Sequence, residues 1–432
     1  MAFSRRDFLK WISASAGATA LGGCESPGAQ RTAADPPARA AARVVVVGGG
    51  YGGATAAKYV KMWAPDVDVV LVERNTRFIS CPISNLVLAG NTTMQEITMG
   101  YDALRARGVR IIHDEASAID ADRRQVRLTG GSVLPYDRAI VSPGVDFMYD
   151  QIPGLRSADA QQRILHAWKA GEQTVALRKQ LEAMPDGGVY VLQIPVAPYR
   201  CPPGPYERVC QVADYFRRVK PRSKILVLDA NPDIVSKKGL FLQEWNGAYK
   251  GMIEYRPNSE LADVDVRGMT VKLQFEDVKG TVINIVPPHR AGDIAQKSGL
   301  ITANQRWCGV DWLTAESVAV KNIHVIGDST LSASAMPKSA SMANQHGKLC
   351  AASVIALLKG EPVNQNPVIM NTCYSFVSRA SAMHVASVHQ YDAKEKTLLP
   401  VKGAGGVSDK ASEIEGSYAW GWARNIWADT LA

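Results

Sequence analysis

The chain has 432 residues, 46% of them hydrophobic and 21% charged, a balance that excludes a disordered or collagen-like polymer and leaves room for several domains of ~100–200 residues. A net charge of +8, from 49 basic and 41 acidic side chains, is too small and too dispersed for a nucleic-acid footprint. The longest weakly polar run, Trp11–Gly23, is shorter than the ~20 residues a spanning helix needs, so no transmembrane segment is expected.

At the N-terminus, Ser4-Arg5-Arg6-Asp7-Phe8-Leu9-Lys10 precedes that weakly polar run. The arginine pair and its apolar continuation resemble a twin-arginine export signal. Residues 1–42 are therefore expected to be a leader and linker, and the mature protein periplasmic and folded around a cofactor. Ala38-Arg39-Ala40 fits a cleavage site, while Leu21-Gly22-Gly23-Cys24 resembles a lipoprotein box, with lipid anchoring at Cys24 as its consequence. Both readings stand.

Arg43–Val47 is a β-branched run of the kind that forms a buried parallel strand. It leads into Gly48-Gly49-Gly50-Tyr51-Gly52-Gly53 and a helix over 54–63. Gly48, Gly50 and Gly53 fill the G-x-G-x-x-G positions: tight turn, close approach to a pyrophosphate, and helix-on-strand packing. A second strand, 67–72, ends at Glu73, twenty residues past Gly53, where a carboxylate accepts ribose hydroxyls. An acid there disfavours a 2′-phosphate, leaving FAD or NAD.

Cys81-Pro82 precedes a predicted helix with Pro82 at its first position, which would lower the thiol pKa. Another strand, over 187–193, should open a second dinucleotide-like domain, but the loop after it is Ile194-Pro195-Val196-Ala197-Pro198-Tyr199-Arg200-Cys201-Pro202-Pro203-Gly204-Pro205. Prolines lack N–H donors and cradle a pyrophosphate poorly, so NADH binding is not expected. The same rigid loop displays Cys201 and Glu207 ahead of a helix over 206–217. Cys373 lies near the start of the C-terminal region, and Cys210 on the preceding helix; spacing alone does not choose between them as a partner for Cys201. No cysteine or histidine cluster has metal-ligand spacing, so no metal is expected. The aromatic stretch 416–427 closes a core, anchors a subunit interface or forms a membrane-interface patch.

Two strands ending in small-residue turns, 136–144 and 321–328 with its Gly327-Asp328, resemble recurrent segments of flavoproteins built on two dinucleotide domains and favour FAD. With His166-Ala167-Trp168-Lys169, Cys201-Pro202-Pro203-Gly204-Pro205-Tyr206-Glu207-Arg208, Met336-Pro337-Lys338-Ser339 and Asn371-Thr372-Cys373-Tyr374-Ser375, residues 43–432 resemble the flavoprotein subunit of flavocytochrome c sulfide dehydrogenase. The resemblance implies an α/β fold of two dinucleotide-binding (Rossmann-like) domains of the disulfide-reductase flavoprotein type plus a C-terminal α+β domain. The expected divisions are 43–158 and 287–360 for the FAD-binding domain, 159–286 for the second dinucleotide-like domain and 361–432 for an interface domain.

It further implies that FAD is bound covalently through Cys81, that Asp328 meets the flavin ribityl chain, and that Cys201 and Cys373 form a redox-active disulfide beside the flavin. Glu207 would handle protons. Lys338 would steer sulfide or support charge at the flavin, against the alternative of a surface lysine. Sulfide would be oxidised to elemental sulfur or polysulfide, and electrons would leave for a c-type cytochrome subunit, since the sequence holds no C-x-x-C-H motif. The competing readings are a sulfide:quinone reductase, a NADH-dependent disulfide reductase and a non-catalytic flavin- or sulfur-binding protein.

Overall fold

The computed structural model describes residues 42–432; the expected export signal and Cys24 lie outside them. Five parallel strands form the first sheet, in the order Ile323–Val325, Arg138–Val141, Arg43–Val47, Asp68–Val72, Arg110–Ile112. Val44, Val45 and Val46 are fully buried, because helices on one face and the antiparallel strands Ala116–Asp120, Gln125–Leu128 and Val133–Pro135 on the other leave no solvated side. The helix after the first strand begins at Tyr51 rather than Ala54 and runs to Trp63. It packs on the long helix Ala340–Lys359, which Ser339 caps through its hydroxyl and Gly360 ends at φ +70°. The approach is close: a Cβ at Gly347 would lie 2.6 Å from the Gly52 carbonyl oxygen.

The second sheet is also parallel, in the order Ile253–Arg256, Lys224–Asp229, Val189–Ile194, Val282–Ile285. Its central strand feeds the proline loop and the helix Gly204–Val219, two residues longer at each end than the sequence predicts. Gly204 and Pro205 occupy the first helical positions, where a missing N–H loses no bond.

Beyond the long helix, Val368–Phe376, Ala382–Asp392 and Thr397–Val407 form an antiparallel meander. The helix Glu413–Leu431 follows, capped by Ser412. Its aromatic run closes a core: Ala419 and Ala423 are fully buried, and Trp420, Trp422 and Trp427 pack against Phe376 and its neighbours. The last turn clamps the helix after the glycine loop. Lys58 Nζ donates to the carbonyls of Ala428 and Asp429 at 3.1 and 2.9 Å, and Tyr59 Oη donates to the Asp429 carboxylate at 2.5 Å. No helix among the described residues is long and apolar enough to cross a membrane.

Candidate active site

One cavity of about 400 Å³ runs from the glycine loop to the proline loop and the C-terminal meander. At its first end the glycines divide their tasks as their environments dictate. Gly48 sits at φ +96°, and a Cβ there would stand 2.3 Å from the Ser142 carbonyl oxygen. A Cβ on Gly53 would stand 1.8 Å from the Gly48 carbonyl oxygen, so this position is closed by helix-on-strand contact. A Cβ on Gly50 meets no protein atom within 4 Å, which leaves the backbone open to a phosphate group at the head of a helix. Glu73 lines the same end; one oxygen accepts from the Gly49 N–H at 2.7 Å and the other from the Asn75 backbone and side chain at 2.8 and 2.6 Å. These residues fit a dinucleotide such as FAD.

Gly327 and Asp328 reach the cavity from the edge strand of the first sheet. Burial raises the Asp328 pKa, and Arg200 and Lys338 oppose it. Lys338 is 5% exposed, so it is not a surface lysine, and it does not line this cavity directly. Its ammonium lies behind the Gly327-Asp328 turn, donates to the carbonyls of Asp328 and Thr330, and stands 3.7 Å over the Trp307 ring. Those acceptors and that ring draw it away from the cavity, and its burial lowers its pKa to about 8. Its backbone carbonyl accepts from the Cys201 N–H at 2.8 Å, so the turn and the cysteine loop are joined through Lys338.

Cys81, Cys201 and Cys373 all line the cavity, although they come from the first domain, the proline loop and the C-terminal meander. Each is a free thiol here, as are Cys210, Cys308 and Cys350, which are buried. Cys210 packs in the core, with the Trp245 indole N–H donating to its sulfur at 3.3 Å, and takes no part in lining the cavity. The helix expected at Pro82 begins only at Ser84 and has five residues, because Ile83 turns left-handed at φ +76°. Cys81 therefore lies two residues ahead of the N-cap and not at the helix terminus the sequence predicts. What stands beside it is the Ala170 N–H, donating to its sulfur at 3.5 Å, and Arg200, whose strongest attraction is to Cys81. Arg200 is pinned through Trp168: the indole N–H donates to the Arg200 carbonyl at 3.0 Å, and the guanidinium donates to the Trp168 carbonyl.

Glu207 is buried at the first turn of its helix. It accepts from the Phe376 N–H at 2.8 Å and the Asn85 amide at 2.8 Å. Burial raises its pKa against both bonds and against Lys237 and Arg208. Burial also raises the Cys201 thiol pKa, with Glu207 and Cys373 adding to it. Arg200 and Lys237 escaped the sequence reading. Arg200 carried a signal, adjacency to Cys201; Lys237 sits in a Ser-Lys-Lys stretch with the look of a solvated turn. No group of three His, Cys, Asp or Glu among the described residues is placed to hold a metal.

At the end of the second sheet, Asp229 holds the position equivalent to Glu73, and it is fully buried. One oxygen accepts from the hydroxyls of Tyr206 and Tyr255 at 2.8 and 3.0 Å, the other from the Asn231 backbone and amide at 2.9 and 2.7 Å. The carboxylate is spent on the protein's own donors.

Two parallel sheets of this order around such a cavity define an FAD/NAD-type oxidoreductase, and residues 42–181 match the family model for pyridine nucleotide-disulphide oxidoreductases. Residues 174–287 match the model described as sulfide dehydrogenase (flavocytochrome c) flavoprotein chain, central, and residues 365–431 match flavocytochrome c sulphide dehydrogenase, flavin-binding. The chain belongs to the family of flavocytochrome c sulfide dehydrogenase flavoprotein chains. The member from Chlorobaculum thiosulfatiphilum is 58% identical over 37 residues, 9% of this chain and 77% of that one. The mitochondrial sulfide:quinone oxidoreductase of Mus musculus is 25% identical over 300 residues, 65% of this chain and 63% of that one. In fold, the sulfide:quinone oxidoreductase of Aquifex aeolicus matches with a TM-score of 0.74 at 16% identity, over 90% of this chain and 92% of that one. The curated quinone-linked relatives from Mus musculus and Dictyostelium discoideum are spanned over 63% and 59% of their length. The family is one of sulfide-oxidising flavoproteins, and the stretch expected to serve an interface also walls the cavity with Cys373, Tyr374, Phe376 and Trp422.

Proposed function

We propose that this chain oxidises sulfide to elemental sulfur or polysulfide at a Cys201–Cys373 pair, holds FAD covalently through Cys81, and passes electrons to a c-type cytochrome subunit after export to the periplasm. The observation that carries the reading is convergence: three cysteines from distant segments face one cavity whose far end is a dinucleotide cradle.

In the oxidised pair, hydrosulfide attacks one sulfur, forming a persulfide and releasing the other as a thiolate. Arg200, beside Cys81, Asp328 and Cys201, supplies positive potential for that small anion. Burial raises the pKa of Glu207, which suits this carboxyl to exchanging a proton near Cys201. When bound, FAD supplies an acceptor for two electrons that releases them one at a time. The occupied Asp229 carboxylate and the proline loop support a reading in which nicotinamide cofactors take no part.

The test is anaerobic titration of the purified flavoprotein. Sulfide bleaches the flavin absorbance, an oxidised c-type cytochrome restores it, and NADH does neither. Cys201→Ser or Cys373→Ser keeps flavin but loses the bleaching, and Cys81→Ala leaves flavin extractable by denaturation. Bleaching by NADH alone overturns the substrate. Restoration by a quinone analogue and not by cytochrome transfers the chain to the quinone-linked reading that its curated relatives favour.

A further inference from the structure

Behind the cysteine pair lies a cation to which the sulfide reading gives no task. Lys237 is 9% exposed. Its Nζ donates to Ser375 Oγ at 2.8 Å and to the carbonyls of Cys373 and Met383 at 3.3 and 3.5 Å, all neutral acceptors. Its backbone is held at φ +54°, in the left-handed region that non-glycine residues seldom occupy. It also flanks the N-terminus of the helix Lys238–Asn246, where the helix dipole disfavours a positive charge. A lysine pointing into solvent would avoid the desolvation, and strain retained at such a position marks a functional constraint.

The groups facing this ammonium come from several elements. Cys373 attracts it most strongly, then Glu207 and Cys201 from the proline loop and the helix after it, then Glu415 from the C-terminal helix. The two cysteines are unequally served. For Cys373, Lys237 is the foremost influence against burial, with Glu207 acting the other way, and Ser339 Oγ donates to the Asn371 oxygen beside the thiol at 2.6 Å. The Cys373 thiol lies 3.2 Å from Asn371 Oδ1. For Cys201, the foremost charged influence is Glu207, which opposes an anion. Arg200 also adjoins Cys201, and it is shared with the Asp328 carboxylate, whereas no hydrogen bond of Lys237 reaches Cys201.

We propose that Lys237 is a positioning residue that polarises the cysteine pair, holding negative charge on Cys373 so that sulfide attacks Cys201. This rests on the sulfide reading above. In the step, HS⁻ forms a bond to Cys201 Sγ, the Cys201–Cys373 bond breaks, and its electron pair leaves on Cys373 as a thiolate. The result is a Cys201 persulfide that keeps the substrate's proton; one negative charge moves from substrate to Cys373, beside the ammonium.

The test reads thiol acidity rather than turnover. Holoprotein reduced with a phosphine is exposed to limiting iodoacetamide across about pH 6–10, and alkylation of each cysteine is followed by peptide mass spectrometry. In the wild type, Cys373 reacts about tenfold faster than Cys201 near neutral pH. Lys237→Met slows Cys373 by about tenfold and moves its pH midpoint upward, Lys237→Arg restores both, and Cys201 changes little. A faster Cys201 in the wild type, or an unmoved Cys373 midpoint in flavin-retaining Lys237→Met, overturns the assignment. Should Lys237→Met lose its flavin, the wild-type order of the two rates and Lys237→Arg decide. Sulfide bleaching of the wild type does not enter this measurement, so failure of the sulfide reading and failure of the polarity are told apart.

Discussion

Gly50 and Gly53 lie three residues apart in one loop, yet alanine at each should fail in a different way. At Gly53 the added Cβ would stand 1.8 Å from the Gly48 carbonyl oxygen, 3.1 Å from its carbon and 3.3 Å from Ser142 Cβ. The first two are backbone atoms, so the strand and helix must separate, at a cost of about 3 kcal/mol or more. Against a total stability of ~5–15 kcal/mol, that lowers Tm by roughly 5 °C or more. At Gly50 the same methyl meets nothing within 4 Å, and φ −73°, ψ −167° is open to alanine. Only the poorer N-cap remains as a penalty, about 0.5–1 kcal/mol, while the methyl enters the space through which a pyrophosphate reaches the backbone, weakening FAD by about 100-fold (~2.7 kcal/mol). Melting followed by circular dichroism, and flavin affinity followed by absorbance in a Cys81→Ala background where the cradle alone retains it, separate the two effects. Unchanged flavin affinity in that background with Gly50→Ala added would refute the cradle, and a wild-type Tm for Gly53→Ala would refute the packing argument.

Acid should destabilise the fold through its buried histidines. Burial lowers the pKa of His166 and His346 to about 3 and of His324 to about 4. Below about pH 6.5 the unfolded chain takes up protons that the folded one refuses, so stability is complete above that pH and is lost as pH falls toward these values. The unfolded histidine is half protonated at about pH 6.5, so each contributes about 1 kcal/mol over the next pH step and the three together remove about 3 kcal/mol between about pH 6.5 and 5.5; a flat Tm over that interval would sink the idea. Lys338→Met strands the carbonyls of Asp328 and Thr330 behind the cavity. It should lower stability by ~1–3 kcal/mol and, in a Cys81→Ala background, loosen flavin retention, both read from melting curves with and without added FAD; an unchanged pair of curves would detach Lys338 from the turn.

What was legible in the sequence was local. The run Arg43–Val47, the spacing of three glycines and the acid after the second strand follow from steric and hydrogen-bonding demands within thirty residues. The left-handed turn at Ile83 was not legible, since an isoleucine gives no warning of positive φ. Lys338 and Lys237 are ordinary lysines until Trp307 in one case, and the Cys373 and Met383 carbonyls in the other, arrive from elsewhere in the chain. The fate of Asp229 likewise depends on tyrosines from two other elements.

The clamp between Lys58 and residues 428 and 429 spans nearly the whole described chain. During synthesis, the helix that follows the glycine loop is made before these partners, which come 370 and 371 residues later. Contacts of such long separation carry a large closure entropy and form late. The helix beside the glycine loop therefore lacks these braces until residue 429 has been made. Any fault that shortens or distorts the last turn of the helix Glu413–Leu431 is felt first at the glycine loop, far away in sequence.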